Sequence, residues 1–147
     1  MKRYITLFLV FCGLLSADIL TPTCYRDNDK NVVICSDKKL GKLVWQDEAQ
    51  TFTGTLEQAI EYCKLVNLAG HKDWRLPTVY ELTAIADKSK FNPAINYSFD
   101  YVLDSGYWTL TKSASDPSKV WVVYFMGGLD GLSFVSDINS VRCVRND

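Results

Sequence analysis

The chain has 147 residues, of which 48% are hydrophobic, and it carries a formal net charge of −1. Its length fits a single domain, and its apolar content excludes an intrinsically disordered chain because enough hydrophobic surface is available to form a core. A nearly neutral charge provides no basic surface of the kind that binds nucleic acid, so the sequence predicts no nucleic-acid partner.

Residues 1–17 are predicted to be a secretory signal peptide. Lys2-Arg3 form a basic start, residues 4–15 form an apolar run, and Ser16-Ala17 provide the small residues of a cleavage site. The run is shorter than the roughly 20 residues that span a bilayer, so a membrane anchor is the alternative only through an uncleaved signal. Cleavage leaves 16 − 2 = 14 basic and 17 acidic residues, a net charge of −3. The predicted location is the periplasm, the cell surface or the medium.

Cleavage also removes Cys12 and leaves an even number of cysteines, which predicts two disulfides in an oxidising compartment. Four cysteines allow three pairings, and the sequence alone does not select one. The spacing favours a local bridge and a long-range bridge. A metal site is the alternative, but the chain contains neither a C-x-x-C motif nor a Cys/His pair. The two favoured bridges are Cys24–Cys35 and Cys63–Cys143.

The pattern of residues predicts an α+β domain. Residues 18–39 are predicted to form an N-terminal hairpin with a cysteine on each arm, and Leu40–Trp45 a strand that ends in a buried tryptophan. Two capping boxes, Thr55 with Gln58 and Thr78 with Glu81, mark the starts of two adjacent helices, and Gly70 is expected to end the first.

The last third of the chain is predicted to form an antiparallel sheet. Residues 120–125 are bulky on both alternating faces, which is typical of a central strand covered on both sides. Residues 127–131 are predicted to form a turn. The remaining predicted strands are residues 107–111, 132–135 and 141–145.

The segment HKDWRLPTVYEL, residues 71–82, is interpreted as a structural latch rather than an active site. A planar guanidinium can bond a carboxylate and a backbone carbonyl together, so Arg75 is expected to tie the turn between the helices to the sheet. Trp74 would fill the gap beneath, and Pro77 prevents an earlier helix start. The residues assigned to the latch are Asp73, Trp74, Arg75, Pro77, Thr78 and Glu81.

The order of landmarks between about Leu40 and Arg145 resembles the Lcl C-terminal-domain family. The segments that carry the resemblance are LVWQDEA, AIEYCKLVNLAGHKDWRLPTVYEL, FNPAIN, YWTLT, VWVVYF and VRCVR. Family members usually have two serines after the Tyr-Trp pair, where this chain has Thr109-Leu110.

The resemblance implies a disulfide-stapled, C-type-lectin-like domain over residues 40–147, with two helices packed on a twisted antiparallel sheet. It also implies that Cys63 and Cys143 join the helix to the terminal strand. The name-giving member is a bacterial surface adhesin whose C-terminal domain is implicated in binding sulfated polysaccharides. A glycan or an envelope protein is therefore the expected partner.

No catalytic residue is predicted. The one histidine, His71, excludes multi-histidine metal sites and lies in a polar turn, and the four remaining cysteines are assigned to disulfides. Formylglycine-generating enzymes share the implied fold, but their reactive cysteine pair has no equivalent in this sequence. The chain is therefore expected not to be an enzyme.

A ligand is expected to bind the long loop after the second helix and the hairpin that follows. Aromatic residues alternate with polar ones in NYSFDY, and exposed rings would stack on sugars, although the alternative is that they cover the core. Lys88 with Lys90, and Arg142 with Arg145, are candidate basic spots for a polyanion. Neither calcium triplet of the C-type lectins is complete, so no cofactor is assigned; a calcium ion would need loop carboxylates. The candidate ligand residues are Tyr97, Phe99, Tyr101, Asp104 and Asp130.

The sequence thus predicts a secreted or periplasmic, non-catalytic binding or adhesion module for glycans or sulfated polysaccharides. The alternatives are a structural or partner-binding subunit of an envelope assembly, which would use an exposed apolar patch, and an enzyme of unrecognised type.

Overall fold

The computed structural model describes residues 21–147, so the predicted signal peptide lies outside the described residues. Within that range the chain forms two helices and two β-sheets, which confirms the α+β class. The elements are β1 (Thr23–Asp27), β2 (Val32–Asp37), β3 (Gly41–Gln46), β4 (Thr53–Gly54), α1 (Leu56–Leu65), α2 (Val79–Ala84), β5 (Gly106–Lys112), β6 (Lys119–Tyr124), β7 (Leu129–Phe134), β8 (Asn139–Ser140) and β9 (Val144–Asn146).

The first sheet has the strand order β1-β2-β3-β9, and all its pairs are antiparallel. The predicted N-terminal hairpin forms from β1 and β2, and β2 also pairs with β3 along its whole length. Cys24 lies directly opposite Cys35 in the β1–β2 register, and the two form a disulfide.

The second sheet has the order β4-β8-β5-β6-β7, with one parallel pair between β5 and β8. The prediction of a single antiparallel sheet was wrong, because the strands form two sheets. The end of the chain passes from the second sheet to the first. Its β8 pairs with β4 and β5, whereas β9 pairs with β3. The terminal strand is accordingly Val144–Asn146 rather than residues 141–145.

Both capping boxes form as predicted. The Thr55 hydroxyl accepts a hydrogen bond of 3.4 Å from the Gln58 backbone amide. In return, the Thr55 backbone amide donates a hydrogen bond of 3.0 Å to Gln58 Oε1. Thr78 and Glu81 make the same reciprocal pair at the start of α2. Each box pairs amides that would otherwise lack partners, so the two helix starts were readable from local sequence.

The end of α1 was predicted wrongly. The helix stops at Leu65, and Gly70 instead lies in a tight turn in which Leu68 and His71 exchange backbone hydrogen bonds of 3.1 and 3.0 Å. Gly70 has a φ of +80° there, and Ala69 beside it has a φ of 55°. Glycine therefore serves the turn, where a left-handed backbone is required, rather than the helix terminus.

The hairpin between β6 and β7 also differs from the prediction. Its turn covers residues 125–128, so Leu129, Asp130 and Gly131 belong to β7. Val120, Val122 and Val123 are buried as expected of a covered strand, but Tyr124 is 41% exposed.

The core consists of two clusters. One includes Trp45, Leu82 and Tyr107, and the other surrounds the second disulfide, Cys63–Cys143, whose two cysteines are fully buried. That disulfide joins α1 to the segment between β8 and β9. Among the described residues, no helix has the length and apolar composition that a membrane crossing requires.

Candidate functional site

The backbone of residues 71–82 contacts both sheets. Arg75 exchanges backbone hydrogen bonds of 2.9 and 2.8 Å with Val144 of β9. Two residues later, the Pro77 carbonyl accepts a hydrogen bond of 2.8 Å from the Leu110 amide of β5. The segment therefore links the first sheet to the second in the space of three residues.

The Arg75 side chain holds the start of α2 and the end of the chain together. Its two terminal nitrogens donate to the two Glu81 carboxylate oxygens at 2.9 and 2.8 Å, and one of them also donates to Asn146 Oδ1 at 2.8 Å. A further hydrogen bond of 3.3 Å reaches the Leu76 carbonyl. A bidentate pair of this kind fixes orientation as well as distance, as a joint between elements requires.

The other predicted latch residues occupy distinct positions. Trp74 is 3% exposed in the core around Cys63–Cys143, and its indole nitrogen donates to the His71 carbonyl at 3.1 Å. Asp73 pairs with Arg145 rather than with Arg75, at 2.9 Å. That hydrogen bond holds the pKa of Asp73 below its ordinary value.

Glu81 is the partly buried acid of this segment. Burial acts to raise its pKa, but hydrogen bonds from Arg75 and from the Thr78 backbone outweigh it, and the pKa lies below the ordinary value of 4.5. The hydrogen bond with Glu81 in turn raises the pKa of Arg75. The ionised pair is therefore the form that the fold stabilises.

We expect Glu81→Gln to lower the free energy of unfolding by about 1 kcal/mol at neutral pH, since the Arg75 side chain is 35% exposed and water screens the pair. A lowered folded-state pKa adds stability above the unfolded-state pKa, and this is lost as the pH falls through the folded-state value. The difference between wild type and variant should therefore shrink below pH 4.5. Urea unfolding at several pH values measures it.

The control for this experiment is Glu61→Gln, which removes an exposed acid paired with Lys64 and should change stability by at most about 0.5 kcal/mol. A stability difference between wild type and Glu81→Gln that stayed constant from neutral to acid pH would contradict the assignment of the ion pair to Glu81.

A buried ionic network lies at the other end of the first sheet, and sequence reasoning missed it. Asp47 is 1% exposed and accepts hydrogen bonds from Arg142 at 2.8 Å and from Arg26. It also accepts from the amides of Asp100 and Tyr101, at 2.9 and 3.3 Å. One carboxylate thus ties together β1, the end of β3, the loop before β5 and the segment before β9.

Arg142 is the buried cation of this network, so its prediction as a basic surface spot was wrong. It is 2% exposed and its guanidinium lies over the rings of Phe99 and Tyr107, at 4.7 and 5.6 Å from their centroids. Burial lowers the pKa of Arg142, with Tyr107 acting in the opposite direction. Arg145 is also buried, at 8% exposed. The neighbouring Val141, Cys143 and Val144 are also buried, at 2%, 0% and 0% exposed, so no alternation marks the arginines as core residues.

The prediction of Phe99 as a ligand-stacking residue was also wrong. Phe99 is 6% exposed and packs edge-on against Trp45, with ring centroids 6.5 Å apart. Of the three aromatics in NYSFDY, the middle one therefore covers the core. Tyr101 is 38% exposed and its ring lies 5.3 Å from the Arg26 guanidinium.

Of the predicted ligand residues, Tyr97 lines a cleft. Its side chain is 78% exposed, and the cleft has a volume of about 690 Å³. Lys88 lines the same cleft and has no ion-pair partner within residues 21–147, while Lys90 lies 5.7 Å from the Tyr97 ring. The polar residues of the wall include Thr23, Thr83, Asp87, Ser89 and Asn96.

Asp104 and Asp130 do not line this cleft. Asp104 is exposed in the loop before β5, and Asp130 is exposed on β7 rather than in the predicted turn. Over residues 21–147 there is no group of three or more histidine, cysteine or acidic side chains that could hold a metal ion.

Comparison with known protein families identifies the domain. The family model for the Lcl C-terminal domain matches residues 34–145, from within β2 to within β9, and leaves β1 outside. A search of curated proteins found no matching sequence. Since the matched region covers well over half of the chain, the protein belongs to the Lcl C-terminal domain family.

Proposed function

We propose that the protein is a non-catalytic, extracytoplasmic binding module and that its ligand is a glycan, most favourably a sulfated polysaccharide. The observation that carries this proposal is the Tyr97 cleft, which is lined by an exposed aromatic residue together with Lys88.

The chemistry of the cleft suits a sulfated sugar. A tyrosine ring offers a large, rigid apolar surface on which the apolar face of a sugar ring can stack. A lysine ammonium is a point charge that attracts anionic groups such as a sulfate. The hydroxyls, carboxylate and amide of the wall supply hydrogen-bond partners for sugar hydroxyls. The overall charge is slightly negative, so attraction of a polyanion would depend on this local site rather than on the whole surface.

Location and fold are part of the same proposal. The two disulfides support an oxidising, extracytoplasmic compartment, because such bonds persist there and are rare in the cytosol. The resemblance to a lectin-like family supports a C-type-lectin-like arrangement of the helices and sheets. In this account the segment at residues 71–82 acts as a structural latch, and the ligand surface lies elsewhere.

The test is titration of the oxidised protein with neutral and sulfated glycans, with calcium and with a chelator. We expect saturable binding to a sulfated glycan that weakens with added salt. We expect Tyr97→Ala to weaken this binding by about tenfold or more, as the loss of a central aromatic contact commonly does.

The matched control is Tyr25→Ala, which removes a tyrosine that is 57% exposed and does not line the cleft. Equal loss of affinity in both variants would remove Tyr97 from the site. Absence of binding across the glycan panel would redirect the function toward a protein partner. A turnover signal abolished by one polar substitution would establish an enzyme instead.

A further inference from the structure

Strand β7 is an edge of the second sheet, and its surface is apolar. Leu129, Leu132 and Phe134 are 63%, 42% and 49% exposed. Proteins usually protect such edges with charged residues or prolines, because an open edge can pair with another strand. Strand β1, an edge of the first sheet, follows this pattern with Arg26 and Asp27. β7 carries a single charge, that of Asp130.

The backbone groups that remain free on this edge belong to two residues. In an antiparallel pair, alternate residues direct their N–H and C=O away from the partner strand. Phe134 is one of these outward residues, but both of its backbone groups already bond to Asp137. Its amide donates to the Asp137 carboxylate, and its carbonyl accepts from the Asp137 amide, each at 2.9 Å. Asp130 and Leu132 share its orientation, and no other described residue bonds their outward groups. The turn at residues 125–128 closes the other end of the strand.

We propose that two copies of this chain pair through β7 in antiparallel orientation, with the two-fold axis at Gly131. This register places Asp130 of each copy opposite Leu132 of the other, so the free donors and acceptors of both residues are satisfied without disturbing the Asp137 cap. On the axis, Gly131 of one copy lies opposite Gly131 of the other, in a non-hydrogen-bonded pair where the two strands come closest. A Cβ at Gly131 would lie 3.3 Å from the Tyr124 ring of its own chain, so glycine avoids a tight contact at this position.

The charges on the outer face of β7 are compatible with a second copy. Asp130 has no ion-pair partner among residues 21–147, and Lys119 lies opposite Phe134, with its ammonium 4.7 Å from that ring and 3.4 Å from Asp116 Oδ2. Asp130, Leu132, Phe134 and Lys119 share one face of the sheet. In the pair, Asp130 of one copy shares a face with Lys119 of the other, two strand spacings away and two residues further along the strand, a separation of about 12 Å. The two Leu132 side chains become diagonal neighbours, within contact distance.

This inference does not depend on glycan binding, since none of the pairing residues lines the Tyr97 cleft. A pair would present two such clefts to one polymer, which raises the avidity for a repeating ligand without any new contact.

Sedimentation equilibrium of the oxidised protein, from micromolar to millimolar concentration, tests the pairing. We expect a concentration-dependent dimer. Leu132→Asp should raise its dissociation constant by at least about tenfold, because it sets a second carboxylate opposite each Asp130. Leu132→Lys loses the same apolar contact but sets a cation opposite Asp130, so it should dimerise more tightly than Leu132→Asp. Tyr80→Asp, at a position on α2 that is 74% exposed, is the matched control and should dimerise like wild type.

A monomer at every concentration would overturn the proposal, as would equal dissociation constants for the two Leu132 variants. If a variant fails to fold, amide hydrogen exchange on the wild type provides the answer. The amides of Asp130 and Leu132 should become more protected as the concentration rises, while the Phe134 amide, bonded to Asp137, stays protected throughout. Unchanged exchange at Asp130 and Leu132 would equally overturn it.

Discussion

Asp47→Asn is expected to lower the free energy of unfolding by about 3–5 kcal/mol, the range found when one partner of a buried ion pair is removed. Arg142 is 2% exposed and donates to Asp47 at 2.8 Å, so the substitution leaves a buried cation without its counter-charge. Arg26 would lose the same carboxylate. Urea unfolding at neutral pH, followed by circular dichroism, measures the change.

Two variants make this result specific. Asp100→Asn removes another carboxylate that pairs with Arg26, at 3.0 Å, but this side chain is 57% exposed, so the expected loss is below about 1 kcal/mol. Adding Arg142→Met to Asp47→Asn should restore part of the lost stability, because it removes the unpaired charge as well. Equal losses for Asp47→Asn and Asp100→Asn would contradict a buried network centred on Asp47.

Removal of the Cys63–Cys143 disulfide, by changing both cysteines to alanine, should lower the free energy of unfolding by about 4–5 kcal/mol. In the loop-entropy model, the stabilisation grows with the length of chain that the bridge closes. This bridge joins residues 80 apart, and both cysteines are fully buried. Thermal and denaturant unfolding of the double variant measure the loss.

The matched control is the double alanine variant at Cys24 and Cys35. The bridge that it removes joins residues 11 apart, so the expected loss in the free energy of unfolding is about 3 kcal/mol. In the loop-entropy model both bridges act by restricting the unfolded chain, so the shorter loop gives the smaller loss. A larger loss from Cys24 and Cys35 than from Cys63 and Cys143 would contradict the role of the long-range bridge as the main covalent closure.

The features that the sequence predicted correctly depend on residues only a few positions apart in the chain. The helix starts at Thr55 and Thr78 were predicted because each capping residue and its partner lie three positions apart. The two-sheet arrangement was not predicted, since the choice of β3 as the partner of β9 depends on residues about a hundred positions apart. Gly70 was misassigned because helix ends and tight turns favour glycine for the same reason.

The candidate site shows the same division. The alternation in NYSFDY grouped Tyr97, Phe99 and Tyr101 as one pattern, and it left open whether each ring binds a ligand or covers the core. That choice is made by the Arg142 guanidinium and the Trp45 ring, which enclose Phe99 and come from distant strands or segments. Asp47 was overlooked because an acidic residue at a strand end has the local appearance of a solvent-exposed one.

The central claim is that residues 71–82 stabilise the fold while the Tyr97 cleft binds the ligand. Titration of Arg75→Ala with the sulfated glycan that wild type binds tests it most directly, with thermal unfolding measured on the same sample. We expect a lowered melting temperature, from loss of the bonds to Glu81 and Asn146, and an unchanged dissociation constant at temperatures where the variant is folded. An Arg75→Ala variant with full thermal stability and no glycan binding would contradict the account.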